Sequence, residues 1–419
     1  MEKCYFNADI LLPDFSKNDP QKWAVIACDQ FTSEPEYWEK AKDIVGDAPS
    51  TLNMILPEVY LEETQTRLPL INAKMQEYAA DILNEYPNSM IYLERTQSDG
   101  TVRRGIILAV DLESYDYHKG ANALIRATEA TVIERIPPRV AIRRNACLEL
   151  PHIMLLVDDP KCTVIEPISF DDCDKKIYDF ELMLDGGHLR GGIIGEAAKK
   201  EIAKALDALI TPEAMAEKYG DASLSPFMFA VGDGNHSLAS AKAMYEEIKA
   251  AIGAEAAKTH PARYALAEVV NIHSEALKFE PIYRIMTEVD PEAIVESFKD
   301  YTSALNGGAE AQKIEYIYGD KCGTIMVSAP EQQLAVGTVQ KFIDDYIAKN
   351  PEAKVDYIHG EDSVKALAKK ENSIGFMFDG MEKSQLFKTV IFDGALPRKT
   401  FSMGHAVDKR YYLECRKIK

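Results

Sequence analysis

Residues 227–252 read FMFAVGDGNHSLASAKAMYEEIKAAI. The stretch opens on five apolar residues, Phe227, Met228, Phe229, Ala230 and Val231, which predict a buried strand. It breaks at Gly232-Asp233-Gly234-Asn235-His236-Ser237. Leu238, Ala241, Tyr245, Ile248 and Ile252 then recur at steps of three and four, the period of one helix face. A strand that turns on glycine into a helix aims main-chain amides outward. The first helical turn has donors without intrahelical partners and a partial positive potential, so it favours phosphate or carboxylate. Ser237 or Asn235 is the expected helix cap. Asp233, Asn235 and His236 stand where such a ligand would lie. The turn is not a P-loop, because no Gly-Lys-Ser/Thr follows it. Nor does it complete a dinucleotide fingerprint, since Ser237 occupies the place of the third glycine. Asp-Gly is also an ordinary turn dipeptide, as at Asp99-Gly100, so a plain loop remains the competing reading.

The bulk properties narrow the function classes. A chain of 419 residues is long enough for two or three domains. With 46% hydrophobic and 27% charged residues, it has the composition of a globular protein. A net charge of -19 with no basic stripe argues against nucleic-acid binding. Cys4, Cys28, Cys147, Cys162, Cys173, Cys322 and Cys415 form no Cys-x-x-Cys pair, which points to reduced thiols in a cytoplasmic protein. No apolar run reaches the roughly 18 residues that cross a membrane, and no signal-peptide core opens the chain.

Further candidates flank the central stretch. Residues 23–27 predict a buried strand leading into Asp29-Gln30, and Ser33 with Glu36 forms a capping box for a helix that carries Tyr37, Trp38 and Ala41 inward. Asp29 is thus a second ligand edge or a plain loop residue. Residues 62–86 predict an amphipathic helix with Leu70, Ala73, Tyr78 and Ile82 on its inner face. Residues 90–96 and 103–110 flank Ser98-Asp99-Gly100 as a hairpin. Between 120 and 150, Arg126, Arg135, Arg139, Arg143 and Arg144 alternate with Thr128, Glu129, Thr131 and Glu134, a pattern that suits a phosphate clamp or a solvated helix face. Residues 152–157 and 178–184 predict strands. The turn Asp185-Gly186-Gly187-His188-Leu189-Arg190-Gly191-Gly192 is an anion nest or a long hairpin tip. Residues 263–272 read as a buried strand. Strands and helices then alternate at 314–318, 324–327, 338–348, 362–368 and 375–378.

The order of these motifs resembles the family known as domain of unknown function 1015, whose members are sometimes labelled SpoOJ/ParA/ParB/RepB-like. The carrying residues are Ile26-Ala27-Cys28-Asp29-Gln30-Phe31, Arg103-Arg104-Gly105-Ile106-Ile107, Asp185-Gly186-Gly187-His188-Leu189, Gly232-Asp233-Gly234-Asn235-His236-Ser237, His359-Gly360-Glu361-Asp362 and Leu396-Pro397-Arg398-Lys399-Thr400-Phe401. The resemblance implies Asp-Gly-His-His-Arg at the central turn. Asp233, Gly234 and His236 match it; Asn235 and Ser237 depart from it. The lost arginine leaves a phosphate role in need of a basic side chain from elsewhere, for which Arg126 and Arg190 are the candidates. The family motif is similar to the Gly-x-x-Arg turn of the ParB/sulfiredoxin-like fold, in which a strand–turn–helix cradles nucleotide phosphates. Free-serine kinases use a similar Asp-Gly-His motif on a small hydroxyl substrate.

The expected fold is α/β (α+β), with mixed sheets, flanking helices and a ParB/sulfiredoxin-like strand–turn–helix unit. Expected domains are residues 1–115, 116–285 with the Asp-Gly-Asn-His turn, and 286–419. The leading functional expectation is a nucleotide-dependent phosphotransferase; a non-catalytic nucleotide or metabolite sensor is the alternative. Asp233, His236 and Glu361 are the expected catalytic residues. Gly234, Asn235, Ser237, His188, Arg190 and Arg126 are the expected cofactor contacts, and Asp233 and Asp29 the expected metal ligands. ATP or ADP with Mg2+ is the implied cofactor and a small molecule the partner, with no nucleic acid and no membrane; a homodimer is left open. A partition-type DNA binder, the reading the family label invites, runs against the charge.

Overall fold

The computed structural model describes residues 3–32, 34–129 and 136–419. The expected cap Ser33, and Thr131, Glu134 and Arg135 of the arginine-rich stretch, lie outside the described residues. Two units emerge: one from residues 3–127, 136–277 and 405–419, the other from 128–129 and 278–404.

Among the described residues of the first unit, ten strands form one mixed sheet. Its order is Lys175–Glu181, His188–Ile193, Ile91–Thr96, Val102–Asp111, Tyr264–Asn271, Met154–Val157, Phe229–Asp233, Ile125–Ala127 and Tyr115–Asp116; Tyr5–Phe6 pairs with Val102–Asp111 besides. Met154–Val157 runs parallel to Tyr264–Asn271 and antiparallel to Phe229–Asp233. These central strands are mostly apolar because both sheet faces are covered, with Glu268, Asn271 and Asp233 as the polar exceptions. In Val102–Asp111 the alternation places Ile107 and Ala109 in one apolar cluster, and Ile106, Leu108 and Val110 in the other.

The expected strand at 227–231 pairs from Phe229 to Asp233, so the ladder reaches the turn itself. Helix Asn235–Ile252 follows. Leu238, Ala241 and Tyr245 are buried as expected, while Ile252 is 45% exposed because the last turn outruns the core. Three expectations need correction. The helix predicted over 62–86 spans Thr64–Asp81, and Leu83–Ser89 is a strand paired with Ala8–Pro13. Its inner face is Ile71, Met75 and Tyr78, and Leu70 is 69% exposed. Of the two readings of 185–192 the hairpin holds, since Lys175–Glu181 pairs antiparallel with His188–Ile193, but its tip is 182–187 and His188 to Gly192 lie in the strand.

The chain returns to the first unit at its end. Tyr411–Tyr412 pairs with Val25–Ile26, Arg416–Lys417 pairs with Leu148–Glu149, and Cys415 bridges to Leu11. In the second unit, antiparallel strands are ordered Lys321–Val327, Gln312–Tyr318, Ser373–Phe378, Phe279–Thr287 and Lys354–His359, with Phe401–Met403 also on Phe279–Thr287. Helices Pro291–Ser303 and Ala335–Lys349 bury Phe298, Val339 and Ile343 against them. The mixed sheets with flanking helices match the α/β class expected.

Candidate functional site

The Phe229–Asp233 strand delivers Asp233 to its C-terminal end, and the turn that follows depends on two glycines. A Cβ on Gly232 would stand 2.7 Å from Leu156 Cγ. Gly234 has φ +77°, the left-handed region that glycine enters without strain, and a Cβ there would meet Ile153 Cα at 3.1 Å. The Gly234 N–H donates to the Asp233 carboxylate at 2.9 Å. The helix then begins at Asn235, with Gly234 as its cap residue and no side-chain cap. The expected cap is therefore corrected. Asn235 and Ser237 already lie within the first turn, and neither accepts at the helix start. Asn235, His236 and Ser237 are half-buried.

Ser237 turns its hydroxyl to another segment. Its Oγ lies 3.3 Å from His152 Nε2, and Asp29 Oδ2 lies 3.4 Å from the same nitrogen. Gln30 donates to Asp29 Oδ1 at 3.0 Å. On the far side of the ring, His152 Nδ1 is 2.8 Å from the Tyr412 hydroxyl, which donates to Cys28 Sγ at 3.0 Å. With that hydroxyl hydrogen spent on sulfur, Nδ1–H is the donor to the tyrosine oxygen. Burial disfavours charge on both Asp29 and His152, but each outweighs it for the other: the Asp29 carboxyl is held below the usual carboxylate range, and the His152 imidazole is raised. His152 is thus favoured as imidazolium, with its second proton facing Asp29. Burial, reinforced by the Asp29 charge, pushes the Cys28 thiol up to about 12, so it is an inert thiol at neutral pH.

Asp233 has its own partner. Its Oδ2 is 3.2 Å from Lys409 Nζ, with side chains 21% and 18% exposed. Beneath both pairs runs a buried ionic network. Arg410 meets Glu268 at 2.7 Å and Glu414 at 2.6 Å, and donates to the Pro151 carbonyl at 3.1 Å. Arg103 joins Glu268 at 3.0 Å, and the Tyr178 hydroxyl donates to Glu414 at 2.7 Å. Burial alone would raise the Glu268 carboxyl; the Arg103 and Arg410 guanidiniums hold it lowered.

Asp29 is the one residue expected from a distant part of the sequence that lies beside the central turn. Arg126 is buried instead on carbonyls, donating to Ala123 at 2.8 Å, Ser225 at 3.2 Å and Pro226 at 3.3 Å, with its guanidinium over the Phe227 ring. Arg190 grips Glu94 at 2.6 and 2.8 Å, and His188 pairs with Asp179 at 2.8 Å. Four strands separate His188–Ile193 from Phe229–Asp233, a distance of roughly 24 Å at the usual ~4.8 Å strand spacing. Both arginines are thus engaged by protein partners, Arg126 by carbonyls and Arg190 by Glu94. Glu361 opens a helix of the second unit and pairs with Lys365 at 2.7 Å. Sequence reasoning missed His152, read only as the start of a strand, and Lys409 and Tyr412, in a segment without periodicity. Among the described residues no three His, Cys, Asp or Glu side chains gather to hold a metal, and no helix is long and apolar enough to cross a membrane.

The chain belongs to the family described as a protein of unknown function (DUF1015), whose model matches residues 14–389. No curated protein matches it. Several solved structures are similar to it at low identity. A free serine kinase variant in complex with AMP is 12% identical over 75% of this chain and 91% of that one, with a TM-score of 0.38. A conserved hypothetical protein from Pyrococcus furiosus is 11% identical over 75% and 95%, with a TM-score of 0.34. SbnI with a C-terminal truncation, from Staphylococcus aureus, is 10% identical over 71% and 82%, also at 0.34. At such scores the likeness assigns no role to any residue here.

Proposed function

We propose that this family member is a nucleotide-dependent phosphotransferase acting on a small hydroxyl-bearing metabolite, with phosphate held at the turn of residues 232–237. One observation carries the reading. Two carboxylates from distant parts of the chain, Asp29 and Asp233, lie beside the half-buried first turn of an 18-residue helix. Phosphoryl transfer asks little covalent chemistry of a protein and much positioned charge. Here the main-chain amides at 235–237 face phosphate oxygens, with the helix dipole behind them. Asp233 takes the proton of the attacking hydroxyl as its oxygen bonds to phosphorus and the bond to the nucleotide's bridging oxygen breaks. His236 contacts phosphate from the same turn. The strand–turn–helix at 229–252 is the kind of unit that the ParB-like resemblance implies.

Carboxylate oxygens suit Mg2+, which is commonly held by one or two carboxylates together with substrate phosphates. Asp233 and Asp29 would be its protein ligands, and the ion would neutralise phosphate charge.

The test is transfer of labelled phosphate from ATP or ADP to a metabolite pool. Wild type is expected to label a product, and Asp233→Ala to lower the rate by about 100-fold or more. Equal transfer by the two would remove Asp233 from the chemistry. A sensor without turnover is the second reading. It is favoured by the ion pairing that already engages both carboxylates and by Asn235 and Ser237 at the motif's departed positions. Nucleotide-dependent thermal stabilisation with no labelled product would select it.

A further inference from the structure

We propose that the C-terminal segment 405–417 is a strap that completes this site, with Lys409 as the phosphate-binding cation that the central turn lacks. The inference rests on the phosphate reading above.

The strap is fixed at several points. Tyr411 and Tyr412 form a ladder with Ile26 and Val25, three residues before Asp29. Ala27 N–H donates to the Arg410 carbonyl at 3.0 Å. Arg416 and Lys417 pair with Glu149 and Leu148, three residues before His152. Just before the first of these ladders, Arg410 is 4% exposed and donates to Glu268, Glu414 and the Pro151 carbonyl. Lys409 stands at a bend between the single 3-10 turn Ala406–Asp408, whose Ala406 carbonyl accepts its N–H at 3.2 Å, and the buried Arg410. Its backbone is thus fixed on both sides by contacts other than its own ion pair, and its ammonium reaches Asp233 at 3.2 Å.

The chemistry fits a phosphate. A lysine ammonium has three donors and Asp233 takes one of them. The pair is largely shielded from water, and a multiply charged phosphate offers the ammonium more counter-charge than the single Asp233 carboxylate. The two arginines expected from sequence are committed elsewhere, one to carbonyls and one to Glu94. The same strap places the Tyr412 hydroxyl on His152, so one short segment serves both ion pairs of the site.

The experiment uses the full chain and two probes, inorganic pyrophosphate and AMP, titrated by calorimetry at fixed low salt. Lys409→Ala and Lys409→Gln are expected to bind both probes about 10- to 100-fold more weakly, the loss of one charge-assisted contact. Lys409→Arg should recover most of that loss, and Lys417→Ala, an exposed partner of Glu85, should match wild type. Melting temperatures of all four should stay within about 2 °C of wild type, since no buried group is removed. If Lys409→Ala binds like wild type while Asp233→Ala does not, the strap has no ligand role and the phosphate site stands without it. If arginine fails to rescue and melting falls in step with affinity, Lys409 is structural only and the inference is overturned. If wild type binds neither probe, the phosphate reading itself fails and takes this inference with it.

Discussion

Replacing Glu268 with Gln would test the frame on which the site is built. Glu268 is 1% exposed and accepts from Arg103 Nε at 3.0 Å and from Arg410 Nη1 at 2.7 Å. It fits a narrow slot, because a Cβ on Gly105 would come within 2.9 Å of its Cγ. Gln keeps the volume, so no cavity term enters. The substitution removes one negative charge from a buried group of two acids, Glu268 and Glu414, and two arginines, Arg103 and Arg410. Either orientation of the new amide turns an N–H toward a guanidinium. Uncompensated buried charge of this kind costs about 3–5 kcal/mol. At roughly 2 °C per kcal/mol for a unit of this size, melting should fall by about 6–10 °C. Acid titration supplies a second readout. A carboxylate lowered in the folded state binds fewer protons there than in the unfolded chain, so its stabilisation is present above the ordinary glutamate value of about 4.3. That stabilisation is lost as pH falls through the folded value, which lies lower. Wild type should lose stability over that acid window more steeply than Glu268→Gln, which has no proton to take up there. Scanning calorimetry between pH 7 and pH 3 measures both effects. A melting shift below 2 °C at pH 7, or identical acid slopes, would refute the argument that this network holds the strap.

Gly234→Ala should destabilise by about 1–2 kcal/mol from left-handed backbone alone, with an added steric cost because the Cβ meets main chain at Ile153. Gly100→Ala is the matched control, since its φ of +83° imposes strain but its Cβ meets nothing within 4 Å. Denaturant midpoints should separate the two, and equal losses would show the Ile153 contact to be unimportant. Ser237→Ala removes the contact to His152 and no helix cap, so it should cost about 0.5–1.5 kcal/mol, and that cost should vanish in a His152→Ala background. A loss that persists in full in that background would reinstate the capping role.

The central strand–turn–helix was legible because its signals are local. Two glycines break an apolar run, and a period of three and four follows. The cap was misread for a physical reason. Ser and Asn are favoured caps, but left-handed Gly234 ends the strand one step earlier, and the Ser237 hydroxyl is taken by His152. In the helix Thr64–Asp81 the expected face agrees with the buried one at Tyr78 and departs from it in the first turns. Leu70 and Ala73 fit an apolar stripe as well as Ile71 and Met75 do, and only packing decides between them. Arg126 and Arg190 looked like phosphate partners because an acidic chain makes any arginine conspicuous. Nothing local could reveal that one spans strand-end carbonyls and the other crosses to Glu94. His152 and Lys409 were invisible for the converse reason: each is an ordinary residue in its own stretch and becomes distinctive only through a partner over 80 positions away.

That distance has a consequence for how the site behaves. Asp29, His152, Asp233 and Lys409 come from four segments held by different contacts. Asp233 rides on the central sheet. Asp29 and Lys409 flank the short ladder between Val25–Ile26 and Tyr411–Tyr412, and His152 is steadied through Pro151 by Arg410. Two-residue ladders are weak by themselves, so the strap's persistence depends on the buried arginines more than on main-chain pairing. Loss of the network would release Lys409 and the Tyr412 contact together, yet leave the glycine turn and its helix in place. Ligand binding would then fall before the sheet unfolds. In native-state hydrogen exchange, the amides of 410–412 should open with a lower free energy than those of 229–231, and bound phosphate should close that gap.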